Sequence, residues 1–310
     1  MRETDSVALL TQQPPASFLA QAGFTFSVNP LSGCFYGCRD CYVPDLPVVK
    51  FRRGALPNGR STSAGSTWGA WVEVRTRAPE VLELALRRGQ LAAATLFLSP
   101  VTDVYWPGER RYRLTRQLLP RFLAHRGAWG YLLISTRSQH ILDDLDLLAA
   151  LGDKLEVAIS IPSDRPDVLR ILGTRNPSVA TRLWAARRLL QAGIPTRISV
   201  APLQPHTPQF VDLLAESGAT VWVDWSQHTS CFASVYQEHG WSIPSRAAVE
   251  AFAAQLRSRV GDSRVRVGTA QFRSAHWPDS AVGVFQPVLR SFQMISADQR
   301  RAQAWSSAVR

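Results

Sequence analysis

Between residues 78 and 225 the chain alternates between two hydrophobic patterns. The runs "ATLFLS", "GYLLIST", "LEVAISI", "PTRISVAPL" and "ATVWVDW" are apolar almost throughout, as strands buried on both faces are. Between them lie longer segments whose apolar residues recur every three or four positions, the mark of helices with one buried stripe. "APEVLELALRRG" is such a helix, with Pro79 in its first turn and Gly89 at its end. "YRLTRQLLPRFLAHRG" is expected to break or kink at Pro120. "ILDDLDLLAALG" should end at Gly152 with its acids on the outer face. "VATRLWAARRLLQAG" and "PQFVDLLAESG" complete the set. With "FTFSVNP" as a first strand there are about six β/α units, too few for a closed eightfold barrel. The predicted fold class is therefore α/β, a partial (β/α)6 barrel of parallel strands with crossover helices, open on one side.

Around this core, residues 1–20 are expected to be a loose N-terminal arm, 21–230 the barrel, and 231–310 a C-terminal extension. The extension contains an amphipathic helix, "SRAAVEAFAAQLRSRVG", a potential strand, "RVRVG", and a basic tail. "RRGALPNGRSTSAGSTWG" reads as a flexible excursion. At 310 residues, 45% hydrophobic and 19% charged, the composition is that of an ordinary globular protein. Its net charge of +11 is not, and among 35 basic residues only Lys50 and Lys154 are lysines. Guanidinium forks suit phosphates and carboxylates, so nucleic acid is an expected partner; the scatter of the arginines leaves a plain solvated surface as the alternative. There is no signal-peptide core and no apolar run of membrane-spanning length, which points to the cytoplasm and away from a membrane.

The chemistry concentrates in "NPLSGCFYGCRDCYVP", where three of the four cysteines, Cys34, Cys38 and Cys41, follow the first strand in the spacing C-x3-C-x2-C. Iron–sulfur clusters are held by thiolates, and three protein ligands leave one iron of a cubane with an open position. The rival is a structural zinc site, which needs a fourth ligand. The nearest histidine, His125, is distant in sequence, and Cys231 is left to close such a site. A chance group of buried thiols is the third reading.

This loop resembles the radical S-adenosylmethionine (SAM) superfamily, in its spore photoproduct lyase-like, or DNA repair photolyase-like, branch. "WGAWVEVRTRAPEVL", "SPVTDVYWPGERRYRLTR", "ISTRSQHILDDLDLL" and "RNPSVATRLWAARRLLQAGIPTRISVAPLQP" resemble that branch too, in its order. The resemblance implies a [4Fe-4S] cluster on the three cysteines, SAM chelated at the open iron, and a lyase-like or hydrogen-abstracting enzyme fed by flavodoxin or ferredoxin. It places SAM contacts at the strand ends: Ser99, Thr102 and Asp103 after the second strand, Thr136, Arg137 and Ser138 after the third, and Ser160 after the fourth. Arg137 stands where relatives commonly carry lysine and is the candidate for the SAM carboxylate. For Ser99, Thr102 and Ser160, turn capping is an equal alternative. Tyr42 and Cys231 are the candidate catalytic residues, against loop packing and simple burial.

Four positions depart from the branch. Asp40 replaces the aromatic residue usual before the last cysteine; a carboxylate cannot supply a ring's stacking area, but as a cofactor-binding candidate Asp40 can accept a hydrogen bond from the adenine amino group or a ribose hydroxyl. "LSPVTD" lacks the cysteine that spore photoproduct lyases use as hydrogen donor. Gly173 replaces an acidic residue before "RNPS", and "DVYWP" stands for "DPYQP". The competing function is a non-enzymatic iron–sulfur or zinc protein that binds nucleic acid and has lost SAM cleavage.

Overall fold

In the computed structural model the described residues are 1–46, 49, 53–55, 61–63, 67–173, 175–225 and 233–268. Their strands are β1 (Arg2–Thr4), β2 (Leu10–Gln12), β3 (Phe26–Val28), β4 (Leu31–Gly33), β5 (Arg53–Ala55), β6 (Ser61–Ser63), β7 (Val72–Arg75), β8 (Thr95–Leu98), β9 (Tyr131–Thr136), β10 (Leu155–Ser160), β11 (Thr196–Val200), β12 (Thr220–Val223) and β13 (Val265–Val267). The helices are α1 (Phe18–Gln21), α2 (Ala78–Arg87), α3 (Glu109–Tyr112), α4 (Leu114–Ala124), α5 (Leu145–Leu151), α6 (Pro166–Leu172), α7 (Val179–Gln191), α8 (Phe210–Ala215), α9 (Ala233–Glu238) and α10 (Arg246–Val260).

The main sheet runs β13-β12-β11-β10-β9-β8-β3-β2. Every neighbouring pair from β3 to β13 is parallel, and β2 lies antiparallel on β3. The predicted mixed α/β class with a parallel sheet is therefore the observed one. One face of the sheet carries Leu96, Leu132, Ile134, Val157, Ile159, Ile198 and Val221 against Leu82, Leu118, Leu148 and Leu189 of the helices, all at most 1% exposed. Each such side chain contributes about 1.5–3 kcal/mol when taken from water. The inner face is closed at its base by Phe24, Phe97, Tyr131, Leu133, Ala158 and Trp222.

The sequence expectations need correction in several places. The loose arm is structured: β2 covers the edge of β3, Leu9 beside it is fully buried, and β1 pairs with β7. "RVRVG" is β13 and extends the main sheet beside β12, with Val265 buried, although it falls in the predicted C-terminal extension. The first strand does not lead directly into the cysteine loop. β4 intervenes and joins β7 and β1 in a separate three-stranded sheet. Helix α4 continues through Pro120, which is exposed, so the carbonyl left without its partner faces the solvent side. Asp144 is buried, not outward: residues 139–144 form a 3-10 turn, whose tighter period rotates it onto Arg116 at 2.9 Å.

Candidate iron–sulfur and SAM site

The three cysteines occupy the loop between β4 and a short turn at Val43–Asp45. Cys34 and Cys38 are buried and Cys41 is half-buried. Gly37 lies in the left-handed region with φ +57°, and a Cβ there would come within 2.7 Å of the Gly69 Cα. Gly69, with φ +89°, meets Gly37 at 2.6 Å in the reciprocal test. Two glycines thus let a second segment, Trp68–Trp71, lie directly on the cysteine loop. Arg175 ties the two together by donating to the carbonyls of Phe35 at 2.6 Å and Gly69 at 2.7 Å. The Tyr42 hydroxyl donates to the Pro100 carbonyl at 3.0 Å and anchors the loop to the segment after β8.

The carboxyl ends of β8 and β9 are joined by Asp103. Its carboxylate accepts from the Thr136 hydroxyl at 2.7 Å, the Arg137 amide at 2.9 Å and the Tyr105 amide at 3.0 Å. Asp103 thus braces the start of the segment that carries Arg137. The Arg137 guanidinium reaches the Cys38 sulfur at 2.7 Å and the Asn176 side-chain oxygen at 2.8 Å, with its Cζ 5.4 Å from the centre of the Tyr36 ring. Burial alone would drive Arg137 down, but Cys38, Asp40, Asp103 and Cys34 together hold it well above the usual range, so it is a permanent cation. Burial pushes the Cys38 thiol up to about 11 against the pull of Arg137, and raises the Cys41 thiol well above its usual value, with Cys38 and Cys34 adding to the effect.

Behind this group lies Arg182 of α7, 1% exposed. It donates to the carbonyls of Pro177 at 3.0 Å and Ser160 at 2.8 Å, while its Nη2 is buried with no partner. Burial, with Arg137 adding to it, pulls Arg182 down to about 9, and Cys38, Tyr36 and Asp103 oppose the shift. An unmet guanidinium N–H in such a place costs on the order of 1–3 kcal/mol, so the position favours an anion.

The remaining expected residues take varied roles. Ser99 ends β8 in the left-handed region, φ +60°, with its hydroxyl buried and unpartnered. Thr102 is half-buried. Ser138 caps the following turn by accepting from the His140 amide at 3.2 Å. Ser160 sits on the inner face in register with Ser199, which is in register with Trp222. Asp40 accepts from Gln204 at 3.1 Å, and Gln204 in turn accepts from the Tyr236 hydroxyl. Burial raises the Asp40 carboxyl, opposed by Arg137. Cys231 lies outside the described residues.

Asn176, Arg182, Gln204, Tyr236 and Arg175 were not foreseen. Arg175, Asn176, Arg182 and Gln204 lie within the resembling segment "RNPSVATRLWAARRLLQAGIPTRISVAPLQP", but nothing in it singles them out, and Tyr236 lies in α9, outside any resembling segment. Asp224 is another: 4% exposed at the end of β12, it accepts from the Trp225 amide at 2.8 Å, and burial pushes it up to about 6.

Chemically, the site offers three soft thiol ligands on one loop, a buried and a half-buried guanidinium group, and a row of inner-face hydroxyls. Among the described residues no group of three His, Cys, Asp or Glu side chains is arranged to hold a single metal ion. The donor set suits a group in which each thiolate has its own metal atom, as a cubane cluster does. No helix among the described residues is long and apolar enough to cross a membrane.

The model of the Radical SAM superfamily matches residues 28–220. An uncharacterized protein of Mycobacterium tuberculosis is 28% identical over 208 residues, covering 64% of this chain and 57% of the relative. One of Methanocaldococcus jannaschii is 26% identical over 183 residues, covering 59% and 62%. The chain thus spans about three-fifths of the length of these curated relatives. Among solved structures, a spore photoproduct lyase mutant with bound AdoMet and dinucleoside spore photoproduct superposes with a TM-score of 0.57 at 16% identity, covering 79% of this chain and 76% of that one. The radical SAM methyltransferase TsrM from Kitasatospora setae gives a TM-score of 0.50 at 14% identity, covering 83% and 56%. Both likenesses are of fold.

Proposed function

The chain belongs to the radical SAM superfamily, and from that membership we propose that it is an enzyme holding a [4Fe-4S] cluster on Cys34, Cys38 and Cys41 and binding SAM at the open iron. When bound, these cofactors supply one-electron cleavage of the sulfonium and a 5′-deoxyadenosyl radical that takes hydrogen from a substrate. The observation that carries this reading is the placement of the cysteine loop at the carboxyl ends of the parallel strands, beside the buried Arg182 with its unpartnered Nη2.

The chain's own residues have these tasks. Arg182 Nη2 and the N–H groups of Arg137 not engaged by Cys38 and Asn176 receive the SAM carboxylate, a charge-assisted contact made stronger by burial. Ser160 and Ser199 line the approach on the inner face, and Ser99 offers a hydroxyl. Trp68–Trp71 and the Tyr42 anchor keep water from the cluster side. Asp224, pushed up to about 6 by burial and so mostly ionised at neutral pH, accepts a proton at its carboxylate on the far wall. The substrate is a nucleic acid or another anion, in keeping with the charge of +11. "LSPVTD" offers no thiol, so a thymine-dimer repair that depends on one there is not the expected reaction. A cytoplasmic site of action and flavodoxin or ferredoxin as electron donor complete the proposal.

Electron paramagnetic resonance tests it. The reconstituted, dithionite-reduced protein should show a [4Fe-4S] signal that changes on adding SAM, because one iron accepts the ligand. A signal indifferent to SAM, or zinc bound without iron, contradicts the proposal.

A further inference from the structure

Resting on the cluster reading above, we propose that Asn176 is a positioning residue: it holds the Arg137 guanidinium on the Cys38 sulfur and so raises the reduction potential of the cluster. The same nitrogen, Nη1, spans the Cys38 sulfur at 2.7 Å and the Asn176 oxygen at 2.8 Å. Arg137 has few other ways to settle there, since its backbone amide is already fixed by Asp103 at 2.9 Å. Tyr36 faces the guanidinium from one side.

Gly173 makes the arrangement possible. Its φ is −177°, which any residue adopts, so its role is one of space. A Cβ there would lie 2.6 Å from the Asn176 side-chain nitrogen and 3.6 Å from the Cys38 sulfur. Asn176 itself is fixed by donating from that nitrogen toward the Leu169 carbonyl at 3.4 Å and from its amide to the Gly173 carbonyl at 3.2 Å. Gly173 and Asn176, close together after α6, thus both bear on one ligand sulfur. The opposing carboxylate is Asp40, adjacent to Cys41 and held by Gln204 at 3.1 Å.

Reduction adds one negative charge to the cluster. A cation donating to a ligand sulfur stabilises the more negative state, and hydrogen bonds to the sulfurs are among the determinants of cluster potential. A guanidinium held at hydrogen-bond distance acts fully, whereas one free to swing into solvent is screened.

The test is a dithionite redox titration of the reconstituted full chain, followed by the spectrum of the reduced cluster. Asn176→Ala should lower the midpoint potential at full iron content, and Arg137→Gln should lower it further. Gly173→Ala, which leaves both partners' chemistry intact and only displaces Asn176, should shift it the same way. Arg175→Ala loosens the loop through Phe35 and Gly69 without touching a sulfur, and should leave the potential in place. Unchanged potentials in Asn176→Ala and Gly173→Ala, with the cluster present, overturn the inference and leave the function standing. An equal shift in Arg175→Ala also overturns it, since the effect would then come from loop loosening. A wild-type protein that forms no iron–sulfur cluster overturns both.

Discussion

Cys38 sits between burial, which pushes its thiol up to about 11, and Arg137, which pulls it down. Without a metal, ionising it at neutral pH costs on the order of 5 kcal/mol. Because ligands bind as thiolates, loading must release protons. The sign follows: the raised thiols are protonated below their shifted values, so metal uptake should tighten as pH rises from about 7 to about 9. Reconstitution with iron and sulfide across this pH range, followed by the cluster's absorption, measures this, and uptake independent of pH would contradict it. Asp40 permits a second prediction at this scale. If it occupies the position where relatives place an aromatic ring, Asp40→Tyr should tighten SAM binding by added stacking, on the order of 0.5–1.5 kcal/mol. Equilibrium dialysis decides, and unchanged affinity would place Asp40 elsewhere. The cysteine triad was legible because its ligands are contiguous and chemically unambiguous. Arg182 was not, since on sequence alone it is one arginine of a helix and only the fold reveals its buried Nη2.

At the scale of elements, the contact between Gly37 and Gly69 clasps two loops. Gly69→Ala adds a Cβ 2.6 Å from the Gly37 Cα at a φ of +89°, and neither backbone can give way cheaply. The variant should lose about 1–3 kcal/mol of stability and retain its cluster for less time. Urea denaturation and the decay of cluster absorbance measure the two effects; wild-type values in both would show that the clasp is not needed. The helices with clear start signals were legible: α2 has Pro79 in its first turn, and α7 and α10 are capped by Ser178 and Ser245. β1, β2 and β4 were not, because these three-residue strands sit in no alternating run, whereas β3 in "FTFSV" and β13 in "RVRVG" do. Helix α6 escaped for a similar reason, having only seven residues after Arg165. That omission matters, for α6 delivers Gly173 and Asn176 to Cys38.

For the whole molecule, the parallel sheet and its family followed from repeated strand–helix alternation and one motif. The substrate does not follow in the same way. The far wall draws Ser199, Gln204, Asp224 and Tyr236 from separate strands, a loop and α9, so no contiguous stretch encodes it. Charge is the one global clue: at +11 the protein should bind single-stranded DNA with an affinity that falls steeply with salt. Fluorescence anisotropy at low and physiological ionic strength checks this, and no binding at low salt would turn the search to small anions.

The most direct test of the central claim is chemical. Anaerobically reconstituted protein, reduced with dithionite and given SAM, should form 5′-deoxyadenosine and methionine, and Cys34→Ala, Cys38→Ala and Cys41→Ala should each abolish the product. A reducible cluster that yields no 5′-deoxyadenosine would contradict the account.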